Sequence, residues 1–313
     1  TTDTLLVSHV PERVDTIEIE PAMYEGAKLF GSRVERAYQD PRSQARMEDA
    51  RTFFATGARQ YDVIISEPSN PWVSGVANLF TQEFYRFLHA HLKENGVLVQ
   101  WIQAYELSEP LLATMLAALI EVFPNTEIYT TNTSDLLFVA YRDQPGTLSD
   151  QPWQQEQLAD ELQRVGLFGL EDIALHKIGN GDLIRQFVSL NQAVPHSDYF
   201  PTVSLEAPKA RFMQQRASFL TDLTTTGLPV LDILVCREPR SIGMPLFSVH
   251  TFAGHRNHYS ALAVSEALVQ NDSTVLYRAL PPQTARAYDY ARLKAIDELS
   301  DNPEALSPWA DAI

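Results

Sequence analysis

Apolar residues in the first half of the chain recur in two alternating patterns, short strand-like runs and longer runs with helical spacing. The strand-like runs lie at 14–20, 44–48, 61–66 and 96–104. The helical runs lie at 21–30, 50–56, 79–92 and 109–123. This alternation predicts an α/β domain with a mostly parallel sheet and helices on both faces. Two more strand-like runs, 127–131 and 136–141, are predicted to pair as an antiparallel hairpin at the edge of the sheet.

Local signals support the helix limits. Pro21 stands where a first helical turn is expected, a position that proline tolerates well. Phe84, Leu88 and Leu92 would share one face of the helix predicted at 79–92. Asn95–Gly96 has the composition of a helix C-terminus and is predicted to end that helix.

The second half of the chain has a different pattern. A polar stretch with proline and glycine at 144–153 predicts a linker, which divides the chain into an α/β domain (1–145) and a mainly helical region (146–313). The helices predicted in the second region lie at 154–165, 182–192, 259–269 and 284–299. No internal repeat is visible in either half.

Composition limits the classes of function. The 313 residues are 45% hydrophobic and 20% charged, which is typical of a globular chain with a substantial core. A net charge of -16 and a pI near 4.9 oppose binding to nucleic acid or anionic membranes. The single cysteine, Cys236, rules out an internal disulfide. The apolar helical run at 111–123 is too short to cross a bilayer, so a soluble, cytoplasmic chain is expected.

The histidines do not form a convincing metal-binding pattern. His89 and His91 are two residues apart on a predicted helix and would point in different directions. His255 and His258 could share a helical turn, but no carboxylate accompanies them, and a polar loop is favoured there. The sequence therefore predicts no metal.

Three acidic residues follow three successive strands, and these are the main candidates for chemistry. Glu18 ends the first predicted strand, Asp49 follows the second, and Glu67 follows the third. Ligands of open parallel α/β sheets bind where the carboxyl ends of the strands meet. A lone acid at such a position is often only a solvated cap, but three in succession favour a binding site. Glu18 is placed to accept hydrogen bonds from ribose hydroxyls. Asp49 is placed to accept a hydrogen bond from an adenine amino group. Glu67 is placed where the reacting part of the ligand is expected.

The residues around these acids resemble a known family. The segments VDTIEIEPAM (14–23), RMEDARTFF (46–54) and 61–101, which includes LFTQEFY, are similar to the core of spermidine synthase and its relatives. These are the aminopropyltransferase branch of the class I S-adenosylmethionine-dependent methyltransferase fold. The resemblance covers about residues 1–142 and implies a Rossmann-like sheet. It also implies a small-molecule amine substrate, a possible homodimer, and decarboxylated S-adenosylmethionine or S-adenosylmethionine as co-substrate.

The resemblance assigns the cofactor-binding residues one by one. The family's ribose-binding acid corresponds to Glu18, and Ile19 would pack near the adenosine. The residues that meet adenine correspond to Asp49 and Ala50. No metal is implied.

The same resemblance assigns the reacting side of the site. The family's catalytic aspartate corresponds to Glu67, and a second aspartate that holds the polyamine corresponds to Asn70. Gln100 matches a glutamine that lines the amine pocket. Glu67 is longer than aspartate by one methylene, and Asn70 removes a negative charge that would suit a diamine. The resemblance implies an enzyme that transfers an aminopropyl group to an amine, and Asn70 leaves a methyltransferase as an alternative. The absence of the family's glycine-rich loop leaves a second alternative, a non-catalytic domain with a decayed cofactor site.

Two features concern the longer protein from which the chain could derive. The family's first strand and glycine-rich loop are not found, and the opening residues TTDTLLV read as the helix that follows that loop, so an N-terminally incomplete sheet with weakened cofactor binding is expected. SDYFPTVSLEAP (197–208) resembles a segment of bacterial spermidine-synthase-like proteins that carry a multi-span membrane region. This second resemblance implies a parent anchored to the inner membrane.

Overall fold

The computed structural model describes residues 1–131, 134–222, 274 and 277. In this part of the chain the strands are β1 (Val14–Glu18), β2 (Ser43–Met47), β3 (Tyr61–Ser66), β4 (Leu92–Gln103), β5 (Asn125–Thr130), β6 (Asp135–Tyr141) and β7 (Lys177–Asn180). The helices of the first half are α1 (Thr2–Val7), α2 (Pro21–Ala27), α3 (Glu35–Gln39), α4 (Ala50–Thr56), α5 (Gln82–Ala90) and α6 (Glu109–Val122). Those of the second half are α7 (Glu156–Arg164), α8 (Leu170–His176), α9 (Gly181–Leu190), α10 (Thr202–Phe212) and α11 (Phe219–Asp222).

The strands of the described residues form two sheets. β1 and β2 pair in parallel, and the other sheet has the order β3-β4-β6-β5-β7. β3 and β4 are parallel, whereas β6 runs antiparallel to both β4 and β5. The predicted α/β class is confirmed, but the prediction of a mostly parallel sheet is wrong, because β4–β6, β5–β6 and β5–β7 all pair antiparallel.

Side-chain contacts connect the two sheets and show that β1 and β3 run in the same direction. The Tyr61 hydroxyl at the start of β3 donates to Oδ2 of Asp15 near the start of β1, at 3.2 Å. Burial and the neighbouring Asp15 carboxylate raise the pKa of Tyr61 to about 12. At the other end, the Thr1 hydroxyl donates to Oε2 of Glu67 at 2.7 Å, while the Thr2 and Thr16 hydroxyls lie 2.8 Å apart. The carboxyl ends of β1 and β3 therefore lie on the same side of the molecule.

The hydrophobic core lies between the larger sheet and the helices α5 and α6. α6 is apolar over most of its surface, and the nine consecutive residues from Leu111 to Leu119 are all buried. This is expected for a helix that is covered on several sides. Its N-terminus is capped by Ser108, whose hydroxyl accepts from the Leu111 amide at 3.4 Å. α9 and α10 pack against α6, so Phe187 and Val203 belong to the same core cluster.

Several predicted elements have the expected limits, and one does not. The predictions of β3 at 61–66 and α4 at 50–56 are confirmed. The helix predicted to reach residue 92 ends at Ala90, and Leu92 begins β4, so the prediction that Asn95–Gly96 ends the helix is wrong. Leu92 is wholly buried and pairs with Tyr61 on β3. Sheet pairing thus outweighs the helical spacing that Leu92 shares with α5.

The predicted hairpin forms, but its position in the sheet differs from the prediction. β5 and β6 pair antiparallel, with Ile128 opposite Phe138. β6 lies inside the sheet beside β4, and β7 covers the outer edge of β5. The edge position was wrong because β7 comes from a distant segment that the local pattern does not reveal.

Some predictions lie outside the described residues. These are Cys236, the histidines from His250 to His258, and the helices at 259–269 and 284–299. Among the residues that are described, no helix is both long and apolar enough to cross a membrane.

Candidate functional site

Glu18 is the last residue of β1, at the edge predicted to bind a ligand. Its Oε1 accepts from the Glu20 amide at 2.8 Å, and this contact fixes the carboxylate beside the turn into α2. Glu20 in turn accepts from the Ala22 amide at 2.9 Å as the helix cap. Ile19, between them, is 69% exposed. An apolar side chain exposed next to an acid is available to pack on a flat ligand.

Asp49 follows β2 and begins α4. Its Oδ1 accepts from the Thr52 amide at 2.9 Å and from the Thr52 hydroxyl at 3.1 Å. This N-cap places Ala50 at the first helical position. Because β1 and β2 pair in register with Glu18 opposite Met47, Asp49 follows β2 beside the end of β1.

Glu67 follows β3 and is exposed, with Oε2 held by the Thr1 hydroxyl. The chain then turns at Asn70, whose carbonyl accepts from the Val73 amide at 2.9 Å. Trp72, in the same loop, is half-buried, with its ring centroid 6.3 Å from that of Tyr105. Trp72 therefore packs beside the end of β4 in the described structure.

Gln100 lies opposite Ser66 in the β3–β4 ladder and is wholly buried. Its Nε2 donates to the Trp101 carbonyl at 2.9 Å and to the Ser66 carbonyl at 3.3 Å. Its Oε1 has no hydrogen-bond partner among the described residues. Gln103, which sequence reasoning missed, is also wholly buried, and neither of its amide atoms has a described partner. Buried acceptors without partners are costly, and they often mark positions where a ligand or water binds.

The predicted polar site residues share one property. Glu18 and Asp49 each use one carboxylate oxygen to accept from a nearby amide, and Glu67 uses one to accept from the distant Thr1 hydroxyl. The other oxygen of each acid accepts no hydrogen bond from the described residues. Gln100 likewise retains a free carbonyl oxygen. The site is therefore a row of anchored hydrogen-bond acceptors at the carboxyl ends of four strands. Such a row suits a ligand that presents hydroxyl, amino or ammonium groups.

A cavity of about 440 Å³ adjoins the loop after β3 and the end of β4. It is lined by Trp72, Glu106, Pro208, Arg211, Phe212 and Gln214. The Arg211 guanidinium lies 5.3 Å from the Trp72 ring centroid and 3.7 Å from a Glu106 oxygen. This cavity thus combines an aromatic ring, a carboxylate and a cation.

His89 and His91, weighed as metal ligands from the sequence, make structural contacts. The His89 ring packs against Phe123 with centroids 5.3 Å apart. The two ring nitrogens of His91 lie 2.8 Å from the Phe87 carbonyl and 2.9 Å from the Gly57 carbonyl. In residues 1–131 and 134–222 no group of three or more potential ligands is arranged to hold a metal ion.

A distant segment also reaches the site region. We name residues 196–198 the Asp198 segment. His196 is buried, and its Nε2 lies 3.0 Å from the Ala77 carbonyl. Arg51, just after Asp49 and Ala50, forms a two-pronged ion pair with Asp198. The sequence signal near this contact is the SDYFPTVSLEAP segment (197–208), which contains Asp198. Its resemblance to known proteins does not identify Arg51 as the partner of Asp198.

Comparison with known proteins finds relatives of the first half of the chain. Residues 4–138 match the model of the spermine/spermidine synthase domain. The polyamine aminopropyltransferase of Nitrosomonas europaea is 33% identical over 113 residues, covering 36% of this chain and 34% of the relative. That of Bacillus subtilis is 29% identical over 121 residues, covering 39% and 44%. The chain therefore spans less than half the length of these relatives.

Solved structures with similar folds include spermidine synthases. The enzyme from Thermotoga maritima is 18% identical with a TM-score of 0.43, covering 60% of this chain and 65% of that one. A spermidine synthase in complex with the transition-state analogue AdoDATO is 21% identical with a TM-score of 0.40, covering 46% and 52%. The similarity to the spermine/spermidine synthase domain is thus limited to residues 4–138.

The buried His196 gives a pH prediction. Burial lowers the pKa of this imidazole, and the hydrogen bond to Ala77 only partly opposes the effect. The Phe200 carbonyl and the charges of Asp198 and Glu83 also raise the pKa, but the net shift is still downward. As pH falls below about 6.5, the unfolded chain takes up a proton that the folded chain resists, and stability falls by up to about 1.4 kcal/mol per pH unit.

His196→Gln keeps a donor for the Ala77 carbonyl but removes this titration. In urea unfolding between about pH 7 and pH 5, the variant is expected to lose less stability than the wild type. Some slope should remain, because burial also lowers the pKa of His176. Equal slopes for the two proteins would contradict the prediction.

Proposed function

We propose that the chain is an enzyme that transfers an aminopropyl group from decarboxylated S-adenosylmethionine to a small amine. The observation that carries the proposal is the row of anchored acceptors formed by Glu18, Asp49, Glu67 and Gln100. The spermine/spermidine synthase domain match over residues 4–138 supports this chemistry. No described cluster is suited to a metal, and the proposed reaction uses none.

The free oxygens suggest how the co-substrate is held. Glu18 would accept the ribose hydroxyls, since its second oxygen is free and its first is fixed by the Glu20 amide. Asp49 would accept from the adenine amino group, and Ile19 and Ala50 would pack on the adenosine. The sulfonium would then lie toward Glu67. The co-substrate supplies a carbon activated by the adjacent sulfonium.

Glu67 is proposed as the general base. The amine arrives largely protonated, and Glu67 accepts its proton. The amine nitrogen forms a bond to the methylene carbon beside the sulfonium. The carbon–sulfur bond breaks, its electron pair stays on sulfur, and methylthioadenosine is released. The Gln100 carbonyl oxygen, which lacks a described partner, would accept from the amine.

Asn70 supports methyl transfer from S-adenosylmethionine as a second candidate. Its neutral side chain stands where an acid would favour a diamine, and Arg211 adds a cation over Trp72 on the same side. Both features favour an acceptor with less positive charge than a diamine. The two reactions share the nucleoside site and differ in the group transferred.

Replacement of Glu67 tests the proposal. Glu67→Gln is expected to lower kcat for aminopropyl transfer by about 10²–10⁴-fold, because the base is lost. The dissociation constant for methylthioadenosine should change by less than about threefold, since Glu67 does not hold the nucleoside. Products are measured by mass spectrometry with each co-substrate and a panel of amines.

Glu12→Gln, at an exposed acid before β1, is the matched control and should retain wild-type turnover. Equal turnover in Glu67→Gln and the wild type would remove Glu67 from the role of base. A methylated product formed only with S-adenosylmethionine would replace the first proposal by the second.

We also propose that one more parallel strand lies between β1 and β3 in the complete sheet. Among the described residues each of these strands is hydrogen-bonded to a neighbour along one edge only. Both run in the same direction, and Val63 in the middle of β3 is 51% exposed, which is unusual for a parallel strand.

Adding a strand upstream of Thr1 tests this arrangement. A segment rich in valine and isoleucine that ends in glycine is expected to slow amide exchange in β1 and β3, because their free edges become paired. A glycine-serine segment of equal length is the control. Unchanged exchange in both strands would contradict the proposal.

A further inference from the structure

The Asp198 segment is inserted between elements that are far from it in sequence. The His196 amide donates to the Thr114 carbonyl on α6 at 3.1 Å, and the Gln82 amide at the start of α5 donates to the His196 carbonyl at 2.9 Å. The Asp198 amide donates to Oε2 of Glu83 at 3.0 Å. Backbone contacts to two helices therefore fix the segment against the first half of the chain.

Asp198 uses this fixed position to hold the side chain of Arg51. The guanidinium donates to Oδ1 at 2.9 Å and to Oδ2 at 2.6 Å. The pair is partly exposed: the Arg51 side chain is 25% exposed and that of Asp198 is 35% exposed. Two-pronged, charge-assisted pairs of this kind are stronger and more directional than ordinary exposed ion pairs.

Arg51 also contacts the segment that follows the β3 loop. The same guanidinium donates to the Asn78 carbonyl at 2.9 Å and to the Thr81 hydroxyl at 3.2 Å. Thr81 in turn caps α5 by accepting from the Phe84 amide at 3.3 Å. Arg51 is thus a cross-link between the start of α4 and the end of the segment that begins at Glu67.

This cross-link spans the two halves of the candidate site. On one side, α4 begins at Asp49 and Ala50, the proposed adenine contacts. On the other side, the loop carries Glu67, the proposed base. The hydrogen bond that Arg51 donates to Asp198 is the main cause of the raised pKa of Arg51. Burial opposes this shift, and the Asp49 charge adds to it. Arg51 therefore also lies within the electrostatic reach of Asp49.

We propose that Asp198 is a positioning residue that, through Arg51, sets the spacing between the nucleoside-binding residues and the Glu67 loop. The proposal rests on the proposed function for the identity of the ligand. Asp198 itself need not touch the ligand, because its effect passes through the guanidinium. A displacement of about 1 Å between reacting groups can cost 10²-fold in rate, so a lost cross-link is expected to affect turnover more than folding.

Asp198→Asn and Arg51→Lys test the cross-link from both ends. The asparagine keeps the size of the side chain but loses the charge, and the lysine keeps the charge but loses the two-pronged geometry. Each is expected to lower kcat/KM by at least about tenfold at a temperature where the variants are folded. The double variant should be about as active as Arg51→Lys alone, because Asp198 acts only through the guanidinium that this substitution removes. Asp198→Glu should recover part of the activity.

Glu206→Gln is the matched control, because it breaks the exposed Lys209–Glu206 pair on α10, which has no contact with Arg51. It should retain wild-type kinetics. If Asp198 only stabilised the fold, Asp198→Asn would lower the melting temperature while kcat and KM of the folded protein stayed at wild-type values. That result would overturn the proposal.

Hydrogen exchange provides a readout that does not depend on catalysis. Asp198→Asn is expected to speed amide exchange at 50–56 and 76–84, while exchange in β5 and β6 stays at the wild-type rate. Uniform acceleration, or no change at 76–84, would overturn the proposal. If the wild type formed no product with either co-substrate, the proposed function would fail, and the exchange comparison would still decide whether Asp198 holds the loop.

Discussion

The parallel pairing of β1 with β2 and of β3 with β4 is the constraint on which the site depends. It brings four strand ends to one side of the molecule, with Glu18 and Asp49 after one pair and Glu67 and Gln100 at the other. Carboxylates from segments far apart in sequence therefore follow strands that run in the same direction. The contacts of Tyr61 with Asp15 and of Thr1 with Glu67 keep the two pairs in the same direction.

Local hydrogen bonds then give each acid a fixed orientation. The N-cap of α4 orients Asp49, and the turn before α2 orients Glu18. In both cases the sequence places a backbone amide within reach of one oxygen and leaves the other free. A carboxylate that is already oriented loses little conformational freedom on binding, so its remaining oxygen is a better acceptor for a ligand.

The sequence was most informative where structure depends on nearby residues. The strand at 61–66 and the helix at 50–56 could be predicted because apolar spacing and a capping aspartate define them locally. Leu92 was misassigned because a buried leucine suits a helix face and a strand equally well, and only its pairing with Tyr61 decides. The prediction that the hairpin lies at the edge of the sheet was wrong for a similar reason, because β7, which pairs with β5, comes from a distant segment of the chain.

The candidate site shows the same division between local and distant contributions. The strand-end acids were visible because the alternation of strands and helices places them, whereas no pattern in the sequence singles out Arg51. Its partner, Asp198, is 147 positions away, and no periodic pattern connects the two. The same holds for Arg211, which reaches Trp72 from the end of α10.

The central claim is that the row of acceptors at the strand ends binds an adenosyl co-substrate, and calorimetric titration tests it most directly. The chain and its Glu18→Gln variant are titrated with decarboxylated S-adenosylmethionine, S-adenosylmethionine and methylthioadenosine, with and without putrescine. The account predicts that the decarboxylated form binds best, that the amine strengthens its binding, and that Glu18→Gln weakens all three ligands by about tenfold or more. Absence of heat from all three, or equal affinities in the variant and the wild type, would contradict it.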